Sequence, residues 1–314
     1  IFFTSRSFHP VIQLRLNKIF NGSPYVYTLN GAVWAYHNER NLGSKITNGL
    51  PYRWLLNQAL MGADAIVANS KFLAHELRNR FPTYNSKIST IYNGIDYDFI
   101  EGGKANVSVW GSGTIRILSV VTATYEKKTE GVHLLLEAFE IMCQRRNDLN
   151  LFIAAGTSRP NISEKMREAV DRLNSSNKVR MEFNRQDVPD LLAAADLFIY
   201  STPSDSSDSL PRALLEAQAV GVPTVTTATT GCAEVVIDGE TGRAVSYSPE
   251  SVAEAALELI EKRKTAATMA EEGRQLVRAR FNWEIMADAY EKIFLMAGST
   301  KYNSRKLEDE NEDL

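Results

Sequence analysis

The feature that most constrains this chain is a strand and helix alternation that runs through once, breaks at a glycine-rich stretch, and then starts again. Before the break the pattern predicts a strand at Ile1-Phe-Phe-Thr4, a helix from Pro10, a strand Tyr25–Leu29, and a helix from Pro51 to Met61. A strand Ala65–Ala68, a helix capped by Ser70, a short strand Ile88–Ile91 and a turn at Asn93-Gly94 follow. Gly102 to Gly113 has the composition of a linker. After it come Ile115–Val121 as strand, Gly131–Arg145 as helix, Leu149–Ala154 as strand, a helix ending at Leu173, and a strand Val179–Phe183. Asp187 caps a short helix, Leu197–Tyr200 is a strand, Pro211–Ala219 a helix, and Pro223–Thr226 a strand, before three closing helices. Strands this continuously apolar belong in parallel sheets covered on both faces.

The expectation is therefore an α/β protein of two Rossmann-like domains, residues 1–113 and 114–282. A helix over 283–298 crosses back to the first domain, and a polar tail over 299–314 is expected to be disordered. Because Ile1-Phe-Phe-Thr4 reads as a strand already under way, the first domain is expected to be incomplete at its N-terminus and to leave apolar surface exposed.

Charge narrows the ligand class. The 35 basic residues face 38 acids, and five of those acids lie in Lys306–Leu314, so the folded part is nearly neutral and lacks the basic excess of a nucleic-acid binder. Cys143 and Cys232 are the only cysteines and stand far apart, which supports neither a disulfide framework nor a zinc site. A cytoplasmic setting fits, with peripheral membrane contact left open, and no run is long and apolar enough to span a bilayer.

The densest polar signal is Ser201-Thr-Pro-Ser-Asp-Ser-Ser-Asp208-Ser-Leu-Pro-Arg-Ala-Leu-Leu-Glu216, which leaves a strand, forms a loop and enters a helix. Ligands of open α/β sheets bind at such strand ends. Ser209 as N-cap, with Pro211 in the first turn, would leave N–H groups facing a crevice, ready for hydroxyl or phosphate oxygens. Glu216, seven residues beyond Ser209, returns to the same helix face after about two turns. The plain alternative is that Asp208 and Ser209 only cap the helix while Glu216 pairs with Arg212 on a solvated face.

This region resembles glycosyltransferase family 4, retaining enzymes of GT-B fold whose signature is an acid, seven residues, then Glu; here these are Asp208 and Glu216. Further segments carry the resemblance: Ala65-Ile-Val-Ala-Asn-Ser70, Ile91-Tyr-Asn-Gly-Ile-Asp96, Gly131-Val-His-Leu-Leu-Leu-Glu-Ala-Phe139 and Asp187-Val-Pro-Asp-Leu-Leu-Ala-Ala-Ala-Asp196. The GT-B fold implies two Rossmann-like domains facing a cleft.

The resemblance implies that Glu216 holds the ribose hydroxyls of a nucleotide, and that Asp208, with Ser209 and Leu210, holds the donor sugar. It also implies a diphosphate clamp, normally an Arg after the strand and a Lys before the helix. Thr122 stands where the Arg is expected, leaving Lys127 or Lys128 as the point charge, with Lys128 and Asp208 as the catalytic pair. Gly231, in Thr229-Thr-Gly-Cys-Ala-Glu234, remains of a Gly-Gly pair facing the phosphates, and Asn184 joins the donor-binding set. On the acceptor side, Asn30 and Gly31 occupy the segment where many members carry a His; Asn30 can hydrogen-bond but cannot act as a base. His37 lies nearby and reads more simply as a loop residue.

The implied activity is sugar transfer from a nucleoside diphosphate sugar to a glycan, lipid-linked or small-molecule acceptor, with retention. With no metal-ligand cluster in the sequence, no metal or cofactor is expected, and the leaving diphosphate is handled by lysine and helix N-termini. A non-catalytic sugar-nucleotide-binding subunit, a gene remnant and a GT-B epimerase remain as alternatives.

Overall fold

The structure is a computed structural model. It describes residues 2–4, 18–19, 22–31, 50–110, 115–122, 127–156, 159–174, 178–206 and 208–312, without the side chains of 2–4, 50–53, 55 and 299–312. The expected helix from Pro10 and the loop around His37 lie outside the described residues. The chain forms two compact units, one of Ile1–Gly94 with Trp283–Leu314 and one of Ile95–Asn282.

In the first unit, strands β1 (Phe2–Thr4), β2 (Val26–Leu29), β3 (Ala65–Ala68) and β4 (Ile88–Thr90) form a parallel sheet in that order. Side chains alternate between its faces, as the two-residue period of a strand requires. Tyr27, Leu29, Ile66 and Ala68 pack with Leu56, Ala59 and Leu60 of α1 (Leu50–Gly62) and with Leu73 and Leu77 of α2 (Lys71–Arg80). Ser70 caps α2 by accepting the Leu73 N–H at 3.0 Å, as its sequence position predicts. On the opposite face Val26, Val67 and Ile91 meet Met286, Ala289, Tyr290, Ile293 and Ala297, a stripe at helical spacing on α11 (Trp283–Glu312). The C-terminal helix is thus part of the first unit's core.

The second unit opens with α3 (Tyr97–Glu101). It carries a parallel sheet of β5 (Ile115–Thr122), β6 (Leu149–Gly156), β7 (Val179–Phe183), β8 (Leu197–Tyr200), β9 (Thr224–Thr227) and β10 (Arg243–Val245), in the order β10-β9-β8-β5-β6-β7. Helices α4 (Lys127–Arg145), α5 (Pro160–Leu173) and α9 (Pro249–Glu261) share one large core with the sheet, built on Phe139, Leu136, Met142, Ile153, Met166 and Leu257. α7 (Arg212–Val220) packs with α10 (Arg263–Arg280). The short helices α6 (Val188–Ala194) and α8 (Cys232–Val235) complete the unit. Where β5 and β8 begin, Arg116 grips Asp196 with Nε at 2.9 Å and Nη2 at 3.0 Å, while its backbone N–H donates to the same carboxylate at 2.8 Å. That fork fixes the two central strands against each other.

Four expectations change. The break between units falls at Gly94–Ile95, not at Gly113. Residues 95–110 belong to the second unit: a Cβ on Gly103 would lie 2.3 Å from the Pro189 carbonyl oxygen, Lys104 N–H donates to Asp190 at 2.7 Å, and Trp110 Nε1–H donates to Ile117 O at 3.2 Å. The glycines there serve close packing instead of looseness. The tail expected to be disordered continues α11 to Glu312, since after Gly298 it holds neither glycine nor proline and is rich in helix formers. Ser209 is not an N-cap: α7 starts at Arg212 with Pro211 as its cap residue, extended at φ −67° and ψ 112°, so Ser209 lies outside the helix and is buried. Asp187 stands at the cap position of α6 but spends its side chain on Arg185.

Candidate functional site

The order β10-β9-β8-β5-β6-β7 means that the chain builds outward from β5 through β6 to β7, then returns beside β5 and builds the other way. The reversal lies between β5 and β8, paired at Ile117–Leu197 and Leu118–Phe198. Loops leaving the carboxyl ends of two such strands run to opposite sides of a sheet, and ligands of open α/β sheets bind at that place. The donor-side candidates follow those ends: Thr122 closes β5, Lys127 and Lys128 begin α4, and Ser201–Asp208 leaves β8. Ser209, Leu210 and Glu216 come next, Gly231 follows β9, and Asn184 follows β7.

Two glycines let these segments close up. A Cβ on Gly131 would lie 2.1 Å from the Ser201 carbonyl oxygen, so α4 rests directly on the backbone leaving β8. A Cβ on Gly231 would lie 1.7 Å from the Ser209 carbonyl oxygen, which presses the loop after β9 onto the strand-like run before α7. Threonine hydroxyls stitch the same region: Thr229 Oγ1–H donates to Thr202 O at 2.6 Å, Thr227 Oγ1–H to Thr202 O at 3.0 Å, and Thr226 Oγ1–H to Tyr200 O at 2.8 Å. Thr230 takes a positive φ of 52° at the turn into α8. The Ser201 hydroxyl is buried and, among the described residues, has no hydrogen-bond partner.

Lys128 and Asp208 form an ion pair. Lys128 Nζ lies 2.5 Å from Asp208 Oδ1, with the two side chains only 14% and 11% exposed. The other oxygen, Oδ2, accepts from Tyr200 Oη at 2.7 Å and Thr202 Oγ1 at 3.3 Å, and Asp208 N–H donates to Ser206 Oγ at 3.2 Å. Asp208 is therefore held from the strand, the loop and the helix together. Lys127 turns elsewhere, to Glu130 Oε2 at 2.9 Å and Asp205 Oδ2 at 3.0 Å. The Glu130 hydrogen bond raises its pKa above the ordinary value, burial opposes, and Asp205 adds to the rise. Both lysines lie inside the first turn of α4, not ahead of it, because the helix begins at Lys127.

Glu216 is set apart from this network. Its side chain is 16% exposed and its partner is Arg212, 3.5 Å away and itself largely solvated. Burial pushes the Glu216 carboxyl above its ordinary value, and Arg212 pulls it only partly back. A buried carboxylate so weakly compensated suits an acceptor awaiting hydroxyl donors. The pairing with Arg212 belongs to the plain alternative, but the solvated face does not.

The remaining candidates scatter more widely. Thr122 is exposed at the end of β5, and Asn184 adopts a positive φ of 57° with its N–H on Ala155 O at 2.7 Å. Leu210 is buried, so only its backbone can address a ligand. Asn30 and Gly31 follow β2 in the first unit, Asn30 exposed and Gly31 half-buried. Sequence reasoning missed Tyr200, Thr202, Asp205 and Glu130 as members of the lysine and aspartate network. Nothing in their spacing signals it, although Asp205 stands inside the singled-out loop. Among the described residues there is no group of three His, Cys, Asp or Glu side chains able to hold a metal, and no helix is long and apolar enough to cross a membrane.

Comparison with known proteins adds a second line. Residues 107–276 match the family model of glycosyl transferases group 1, and residues 3–99 match that of glycosyltransferase family 4. The chain is 24% identical over 245 residues to spore coat protein SA of Bacillus subtilis, covering 72% of this chain and 64% of that protein. It is 26% identical over 257 residues to the alpha-maltose-1-phosphate synthase of Mycobacterium tuberculosis, covering 75% and 65%. The match therefore spans less than two thirds of either relative. Among solved structures, Anabaena HepE in complex with UDP-glucose superposes with a TM-score of 0.72 at 20% identity, over 95% of this chain and 78% of that one, and so shares its fold.

Proposed function

Since the chain belongs to the glycosyl transferases group 1 and has the GT-B fold, we propose that it transfers a sugar, with retention, from a nucleoside diphosphate sugar to a glycan, lipid-linked or small-molecule acceptor. The observation that carries this reading is the meeting of Lys128 with Asp208, and of Lys127 with the same loop, at the strand reversal of the second unit. In such a reaction the bond between the anomeric carbon and the diphosphate breaks, and the barrier falls in proportion to how well the leaving charge is stabilised. Here Lys127 and the N–H groups at the start of α4 supply that charge, with Lys128 holding Asp208 beside them. Glu216 accepts the ribose hydroxyls, Asp208 and the amides of Ser209 and Leu210 take hydroxyls of the sugar, and backbone N–H groups of the Gly231 loop take the phosphates. Thr122 contributes one neutral hydrogen bond where a guanidinium would give two charged ones. Asn30 and Gly31 are assigned to the acceptor side. Chelator-resistant activity would accord with a site that uses no metal.

UDP is the first nucleotide to test, because the structural neighbour holds UDP-glucose. Product analysis with a panel of nucleoside diphosphate sugars decides the reading: release of free nucleoside diphosphate together with a glycosylated product supports it. A protein that binds the nucleotide without turnover matches a second reading, a non-catalytic sugar-nucleotide-binding unit. That second reading is favoured by one feature, Thr122 standing where the diphosphate clamp of the family has an arginine.

A further inference from the structure

The two lysines at the start of α4 are neutralised in different ways. Asp208, the partner of Lys128, is buried and tied to Tyr200, Thr202 and Ser206, so this pair is a fixed part of the site. Asp205, the partner of Lys127, sits at an exposed turn, its side chain 60% open to solvent, and among the described residues Lys127 is its one ion-pair partner. Lys127 would keep Glu130, which lies on its own helix three residues on, if Asp205 swung away. A carboxylate on a loop thus occupies the outer of the two lysines.

Building on the donor-site reading above, we propose that Asp205 sets the affinity of this site by standing in for a phosphate of the donor on Lys127, so that an incoming nucleoside diphosphate must displace it. Lys127 is then the lysine released to the ligand, while Lys128 stays committed to Asp208 and braces it. The exchange is one anion for another, and its cost is the strength of the Lys127–Asp205 pair. Because that pair is largely solvated, the cost is small and the displacement is reversible. After release of the diphosphate, Asp205 returns to Lys127 and competes against rebinding of the product.

The test is UDP binding, measured by calorimetry at low salt, in the wild type, Asp205→Asn, Lys127→Met and the double variant, with Glu216→Ala as a reference. The expected result is that Asp205→Asn tightens UDP binding about two- to fivefold, the factor an exposed ion pair supplies. Lys127→Met weakens it, and Asp205→Asn adds no tightening once Lys127 is gone. Equal tightening in both backgrounds would mean plain repulsion between Asp205 and phosphate and would overturn the stand-in role, as would no tightening at all. Should UDP bind the wild type and be lost in Glu216→Ala while Asp205→Asn behaves as wild type, this inference alone fails. Should the wild type bind neither UDP nor any other nucleoside diphosphate of the panel, the donor-site reading fails with it.

Discussion

Replacing Gly131 by alanine sets two known effects against each other. Alanine inside a helix is favoured over glycine by about 1 kcal/mol. Against this, the new methyl would stand 2.1 Å from the Ser201 carbonyl oxygen, 2.9 Å from its carbon and 3.4 Å from Thr202 Cα. All three are backbone atoms and cannot rotate aside. Restoring an ordinary contact requires about 1 Å of retreat, and overpacking of this kind costs about 1–3 kcal/mol or more. β8 is bonded to β5 on one side and β9 on the other, so the helix start yields first. With the collision at the severe end, destabilisation wins by about 1–2 kcal/mol, which lowers the melting temperature of a unit this size by about 2–8 °C. The same retreat draws Lys128 away from Asp208, so UDP affinity falls beyond what stability alone would explain. Gly298→Ala in α11 is the control: nothing lies within 4 Å of its added Cβ, and the helix preference alone should raise stability slightly. If calorimetric melting showed Gly131→Ala as stable as, or more stable than, the wild type, the close seating of α4 on the β8 exit would be refuted.

Gly231→Ala meets the Ser209 carbonyl oxygen at 1.7 Å, and UDP calorimetry should show binding impaired more than tenfold; unchanged affinity would separate this loop from the ligand. Lys128→Met strands the buried Asp208 and should cost about 3–5 kcal/mol in urea melts, whereas Lys127→Met, at a solvated pair, should cost less than about 1 kcal/mol; equal costs would contradict the burial difference. Burial raises the Glu216 carboxyl above its ordinary value of 4.5, so the folded state holds that proton more tightly than the unfolded chain. Stability from this group is therefore greatest below that pH and declines as pH rises through the elevated value. Glu216→Gln should melt higher than the wild type at neutral pH and converge with it in acid, while weakening UDP about tenfold or more; a wild type that melts higher at neutral pH would count against it.

Much of the second unit could be read from residue order because its central strands are largely apolar runs bounded by polar residues, as Leu197–Tyr200 between Asp196 and Ser201 shows. That Lys127, Lys128 and Asp208 would gather at one end of the sheet was also legible, since they follow strands that a doubly wound sheet places side by side; that Lys128 pairs with Asp208 was not. What composition hid was the purpose of particular small residues. Gly103 suggested looseness, but it lacks a side chain because the Pro189 carbonyl presses on it. Pro211 suggested a first helical turn, yet its extended ψ makes it the residue before the helix, and Ser209 loses its capping role. Asp205 escaped notice because its significance lies in a turn that brings it onto Lys127, a distance no spacing rule encodes.

The chain leaves the first unit after Gly94 and rejoins it at Trp283, and at that junction Ile95 N–H donates to Phe281 O at 3.0 Å, with both side chains fully buried. The second unit is thus a loop of chain drawn shut at its neck. A module whose two ends are already tied together can be lifted out, spliced into another host or circularly permuted without stretching either end. Joining residues 95 and 282 through a short linker and reopening the chain at the exposed turn Gly239-Glu240 should preserve its core. On the proposed reading, donor recognition then becomes a portable part, free to be recombined with different first units.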